Sequence, residues 1–237
     1  MCTVIIHVPP SAAEPARLLA VRDEDPARPW RPLGEWWPER PGVVGVQDVR
    51  AGGAWLAADP TTRRLAVLLN RADRGELAAD AVISRGVLAL DSVAGRSPGE
   101  EPPTRGFNLL EVSPGAARVV SWDGASRRIV RIPPGTHMIA HDEVDDPATA
   151  RITHWLEHFR LSAPVDGPEW YAPWLAVLAR SAELGPLDDR AIIRDNTPHG
   201  YPTLSLLVCA ASVGPDAVDV RAADLPVPGV WSPLTLR

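Results

Sequence analysis

The second residue of this chain is a cysteine, and its position gives it two reactive groups. Removal of Met1 would leave Cys2 with a thiol and a free α-amine on one residue. A side chain as small as that of cysteine at position 2 generally permits this removal. An α-amine titrates near about 7.7–8.0, so it can act as a base close to neutral pH. It can take the thiol proton, and the thiolate can then attack a carbonyl carbon. The bland alternative is a small buried strand residue, which free cysteines commonly are. The other cysteine, Cys209, lies between Leu206-Leu207-Val208 and Ala210-Ala211, a run that reads as buried core.

Arg22 and Asp23 are the next candidates. Residues 3–8, TVIIHV, predict a strand, and residues 17–21, RLLAV, predict its hairpin partner. Pairing of the two would set Arg22 and Asp23 beside Cys2. A guanidinium there lowers a thiol pKa and can hold an acyl carboxylate, and Asp23 can orient the α-amine. A strand-end ion pair that only sets the turn is the competing account. Glu24 and Asp25 extend a short acidic run of the kind that is usually solvated. Asn70 ends a further strand, where its amide can donate to an oxyanion or can simply form a turn. Trp30, Trp36, Trp37 and Trp55 cluster early in the chain. They either floor an apolar pocket near Cys2 or cover one end of the sheets, and for Trp55 core packing is the stronger expectation. His154 and His158 have the i, i+4 spacing of a zinc pair on a helix, but no third ligand accompanies them. No metal site is expected.

The elements that must position these residues read as follows. Strands are predicted at 43–46, 54–58, 65–69, 107–112, 118–122, 128–132 and 204–211. Asp59-Pro60 and Asp123-Gly124 mark turns between neighbours. Residues 25–42 hold five prolines and three tryptophans and read as an extended loop. A helical pattern covers 76–86, with Leu77, Val82 and Ile83 on one face, and residues 91–103 read as a loop. The clearest helix runs from Pro147 to about Leu161. Asp146 is placed to cap it, and Ile152, Trp155, Leu156 and Phe159 share a face. Another helix is predicted from Trp170 to Ser181. Strands, then helices, then strands imply an α+β domain rather than a parallel sheet.

Composition narrows the class. The 237 residues suffice for a substantial core, and 45% are hydrophobic. No apolar run approaches the ~20 residues of a membrane helix, and the N-terminus lacks the pattern of a cleaved signal peptide. The net charge of −6, without a basic block, makes nucleic acid a poor partner. Two cysteines do not make a disulfide scaffold, and a reducing cytoplasm is the expected compartment.

Several motifs in order resemble the NRDE family, that of Transport and Golgi organisation 2 proteins. Val21-Arg22-Asp23-Glu24 with Arg28-Pro29 is similar to its name-giving motif, with the first position changed. Gly45, Asp48 and Gly52-Gly53-Ala54-Trp55-Leu56 follow, then Asn70, Arg74-Gly75-Glu76-Leu77, Gly106-Phe107-Asn108-Leu109 and Pro134-Gly135-Thr136. The family in turn resembles the cysteine N-terminal nucleophile hydrolases. The resemblance implies one domain over 1–237, a four-layer αββα sandwich of two antiparallel sheets. It implies Cys2 as nucleophile, with Arg22, Asp23 and Asn70 around it and Arg194 (Arg190 competing) as a second arginine. Two departures stand at polar family positions: His141 replaces an asparagine and Pro202 an arginine. His141 is then a proton carrier, a metal or haem-iron ligand, or a hydrogen-bonded structural residue. With Trp36, Trp37 and Arg194 it makes up the expected substrate-binding set. The implied activity is hydrolysis or transfer at a small amide or thioester, with no cofactor. The alternatives are a binding or trafficking role for haem or an acyl-lipid, and a scaffold whose site has decayed.

Overall fold

The computed structural model describes residues 2–74, 82–164 and 166–237. The chain opens with the expected hairpin, β1 (Thr3–Val8) and β2 (Ala16–Glu24), with Thr3 opposite Val21 and His7 opposite Arg17. A meander follows: β3 (Trp30–Gly34), β4 (Val44–Asp48), β5 (Ala54–Asp59) and β6 (Arg64–Asn70), then after helix α1 (Gly86–Val93), β7 (Phe107–Ser113), β8 (Ala116–Trp122) and β9 (Arg127–Arg131). These seven strands pair in sequence order, all antiparallel. The chain then crosses back. β10 (Gly135–Ile139) pairs with the free side of β1. Two helices, α2 (Ala150–Leu161) and α3 (Ala172–Ala182), precede β11 (Leu204–Val213) and β12 (Val218–Asp224). The second sheet has the order β10-β1-β2-β11-β12.

Strand alternation dictates the layers. Val4, Ile6, Leu18 and Ala20 point between the sheets and meet Leu56, Val67 and Leu110 of the other sheet. Ile5, Leu19 and Val21 point the other way, onto Ile152, Trp155, Phe159 and Trp174 of α2 and α3. Both faces of β1 and β2 are therefore buried, which is why these strands read as near-continuous apolar runs. On the far side of the seven-stranded sheet, Leu88, Ala89 and Val93 of α1 pack on Ala57, Ala66 and Leu109. The result is the expected α+β sandwich: helix, sheet, sheet, helix.

Several boundaries differ from the sequence expectation. Residues 25–42 are not all loop, because Trp30–Gly34 forms β3 at the edge of its sheet, where Pro32 costs least. The predicted helix at 76–86 is not found over 82–85, and its residues 76–81 lie outside the described residues. The helix begins at Gly86 instead and runs into the stretch expected to be loop. A tertiary contact explains this. A Cβ on Gly53 would lie 2.4 Å from the Gly86 carbonyl carbon, and one on Gly86 would lie 2.8 Å from the Gly53 Cα. The Gly-Gly element and the start of α1 touch backbone to backbone, and neither site has room for a methyl group. Gly86→Ala should therefore lower the chemical denaturation midpoint, at a cost of ~1–3 kcal/mol for overpacking. Alanine is intrinsically the better helix former, so an unchanged or raised midpoint would contradict the contact.

β10 and β12 were not anticipated. Pro133-Pro134 masks the first, and mixed polar residues at a sheet edge mask the second. α2 starts at Ala150 rather than Pro147, and Asp146 still holds its entry by accepting bonds from the Ala148 amide (3.0 Å) and the Thr149 hydroxyl (2.6 Å). Lastly, β11 carries a bulge. Ser205 is opposite Asp23, and Leu207 is opposite Arg22, which leaves Leu206 as an extra residue.

Candidate active site

Cys2 enters β1 one step before the Thr3–Val21 pair, beside the end of β2. Its thiol donates to the Asp23 carbonyl (3.6 Å) and accepts from the Asp23 amide (3.4 Å). It is 7% exposed and opens onto a cleft of about 680 Å³, which Arg22, Asp23, Asn70, Trp55 and Arg85 also line. The four residues read as a catalytic set thus share one cleft. β1 and β2 bring three of them, and Asn70 arrives at the exposed end of β6, opposite Phe107.

Arg22 is 1% exposed. Its Nη2 reaches Glu24 at 3.4 Å, and its guanidinium carbon lies 5.3 Å from the centre of the Trp30 ring. Its Nε and Nη1 are buried and have no hydrogen-bond partner among the described residues, and the same is true of Trp55 Nε1. Buried donors without acceptors are costly, and a ligand that accepted from them would remove that cost. Asp23 is held from the helix side. Ser205 donates its hydroxyl to Oδ1 at 2.7 Å, and Asn196 donates its amide to Oδ2 at 3.2 Å.

The thiol does not ionise more easily than usual, as the nearby guanidinium had implied. Burial pushes the Cys2 thiol up, and the Asp23 charge adds to this. Arg22 pulls the other way, but less strongly. Proximity to a cation has lost to desolvation. Burial also pushes Cys209 up, and this residue is fully enclosed in the inter-sheet core as expected.

The expected substrate-binding residues lie elsewhere. Trp37 is buried against the α1 layer and donates to the Gly52 carbonyl at 2.8 Å. Trp36 is half-buried, donates to the Pro32 carbonyl at 2.7 Å, and stacks with Arg31. Neither floors the cleft, because the β3–β4 connection passes on the outer side of the sheet. Trp55 both packs in the inter-sheet core and lines the cleft. His141 and Arg194 are also outside it. Arg194 pairs with Asp189 (3.5 Å) and contacts His199 (3.1 Å), and its backbone amide donates to Ser205 Oγ at 3.0 Å, so it supports Asp23 from behind. Arg190 is bound to Asp188 and takes no part.

Three contributors escaped sequence analysis: Arg151, Asn196 and Ser205. Arg151 is 2% exposed and donates from Nε to Thr3 Oγ1 at 2.9 Å. Burial, and then Arg194, lowers its pKa to about 10, while Asp23 and Cys2 oppose the shift. A sign of it was available, since Arg151 stands four residues before Trp155 on the apolar face of α2. His141 approaches the same group, with Nδ1 3.5 Å from Arg151 Nη2.

Burial, followed by Arg151, lowers the His141 pKa, and Asp142 and Asp146 oppose this only in part. Burial likewise lowers that of His7. A histidine depressed in the fold binds its proton more readily when unfolded. Its contribution is complete above the unfolded value, ~6.5, and is lost as pH falls below it. The denaturation midpoint should fall from pH 7 to 5, and His141→Gln should flatten that slope. An unaltered slope would show that His141 is not held neutral.

The fold and site together define a class: a two-sheet α+β sandwich in which a cysteine enters an interior strand at a cleft with buried arginine. The chain belongs to the Transport and Golgi organisation 2 family, whose model matches residues 1–160. Among curated proteins none matches. The matched stretch carries the whole cysteine cleft and Arg151, whereas Arg194, Asn196 and Ser205 lie beyond it. Among the described residues, no helix is long and apolar enough to cross a membrane.

Proposed function

We propose that the cleft is the active site of a cysteine N-terminal nucleophile hydrolase or acyltransferase acting on a small amide or thioester. The observation that carries this is the Cys2 thiol in one cleft with a buried Arg22 whose Nε and Nη1 have no partner among the described residues. A thiol pushed up by burial needs a base, and the α-amine exposed by loss of Met1 supplies one. The amine takes the thiol proton as sulfur attacks the acyl carbon. The C–N or C–S bond breaks, and the ammonium returns the proton to the leaving group. Water, deprotonated by the same amine, then cleaves the acyl-thioester and restores Cys2. Asp23, fixed by Ser205 and Asn196, holds the ammonium, and Asn70 donates to the oxyanion. Both cysteines are free thiols, which suits a cytoplasmic setting.

The test compares two forms of the protein, distinguished by N-terminal mass. The form beginning at Cys2 should hydrolyse acyl thioesters and anilides, and the form retaining Met1 should not. Equal rates would reject the amine as base. The raised thiol pKa favours a second reading, a non-catalytic cleft that binds or carries an acyl-lipid or haem-like ligand. Inertness of the Cys2-terminal form across both substrate types would select it.

A further inference from the structure

The cleft wall is more cationic than the chain that builds it. The protein carries −6 overall, yet among the described residues the cleft is lined by Arg22, Arg28, Arg50, Arg85 and Arg105 against only Asp23, Glu24 and Asp48. Those three carboxylates are already engaged. Asp23 accepts from Ser205 and Asn196, Glu24 faces Arg22, and Asp48 accepts from Arg28 Nε at 2.8 Å. Arg50, Arg85 and Arg105 are left over. Arg85 is half-buried, and it donates only to the Gly106 carbonyl (2.7 Å), with no carboxylate in ion-pair range among the described residues. Desolvation pushes its pKa down, and the more distant charges of Asp73 and Glu24 oppose this only in part. Arg105 has only Asp73, at 3.5 Å, and Arg50 has no bonded partner among the described residues. The Gly53–Gly86 contact holds the turn bearing Arg50 against the segment bearing Arg85.

A partly desolvated cation without a counter-ion is unfavourable unless an anion comes to it. We infer that the cleft takes an acyl compound with a second, anionic end, which the Arg50–Arg85–Arg105 wall holds while the acyl carbon faces Cys2. This deepens the reading of the cleft as an acyl site and concerns its substrate class. The anionic end is a carboxylate or a phosphate, since arginine serves either in a fork of parallel N–H donors. A cleft of about 680 Å³ has room for such a small molecule.

The test is binding, read by tryptophan fluorescence, because Trp30 and Trp55 stand beside the site. Glutaric acid monoamide and the neutral pentanamide share a chain and an amide and differ in the carboxylate. The monoamide should bind the Cys2→Ala protein at least about tenfold more tightly, and added salt should erode the preference. In an Arg50→Gln, Arg105→Gln double variant, which alters two rim residues outside the proposed catalytic set, the preference should fall below about threefold. Equal affinities in the parent, or a preference kept by the double variant, would overturn the inference. Displacement of the monoamide by inorganic phosphate would assign a phosphate-type anion, and failure to displace it would assign a carboxylate. Binding preference in a wild-type protein that hydrolyses nothing would refute the catalytic reading and leave this one intact.

Discussion

Cys2→Ala is expected to remove acyl hydrolysis, by at least about a thousandfold, while leaving the fold intact. Among the described residues no second thiol lines the cleft, and loss of a nucleophile commonly costs more than this. Alanine fills all of the site except one sulfur atom, so the stability cost should stay within ~1–2 kcal/mol. Cys209→Ala should show the converse, with a similar stability cost and unchanged rates. Alkylation of the native protein with a limiting electrophile near neutral pH should separate the two thiols. Both are pushed up by burial, so access and a local base decide the outcome. Cys2 borders a cleft and Cys209 borders only core. Equal labelling, or labelling of Cys209 first, would count against the nucleophile.

Asn108→Ala should produce the largest loss of stability. Asn108 is fully buried in β7 and uses both ends of its amide. Oδ1 accepts from the Ser121 hydroxyl (2.7 Å) and Arg71 (3.3 Å), and Nδ2 donates to the carbonyls of Asp142 (2.7 Å) and Ala140 (3.3 Å). Ser121 lies in β8 and Arg71 follows β6 of the seven-stranded sheet, whereas Ala140 and Asp142 follow β10 of the other. The side chain is thus a clasp between sheets. Its removal leaves several buried groups unpaired, at ~3–4 kcal/mol in total. Ser121→Ala deletes one bond and should cost about 1 kcal/mol. Denaturant midpoints of the two variants measure the contrast, and similar losses would mean the clasp is no stronger than a single bond.

Most of the strands were legible because buried β-branched and alternating runs sit between clear turn residues. The β1–β2 hairpin is the best case, and from it followed the meeting of Cys2, Arg22 and Asp23. β3 and β10 were hidden by prolines, which edge positions and strand starts tolerate. The start of α1 was misplaced because a contact between two distant glycines, rather than local periodicity, decides it. Trp36 and Trp37 were misassigned for a related reason: nearness in sequence does not say which side of a sheet a side chain reaches. Arg151, Asn196 and Ser205 lie 148, 173 and 182 residues from the partners they hold. Pairings at such range are set by topology, and no local pattern announces them.

The bulge in β11 has the character of a counting device. Leu207, Cys209, Ala211 and Val213 are odd-numbered, and all face the space between the sheets. Ser205 is odd-numbered too, and an unbroken two-residue beat would set its hydroxyl among those apolar side chains. The extra residue at Leu206 resets the beat, and Ser205 turns to the opposite face to meet Asp23. The anchor of Asp23 is therefore written in the length of a strand as much as in the choice of a serine. Were Leu206 drawn into a regular ladder instead, it and not Ser205 would stand opposite Asp23, and the carboxylate would lose its bond from the serine hydroxyl.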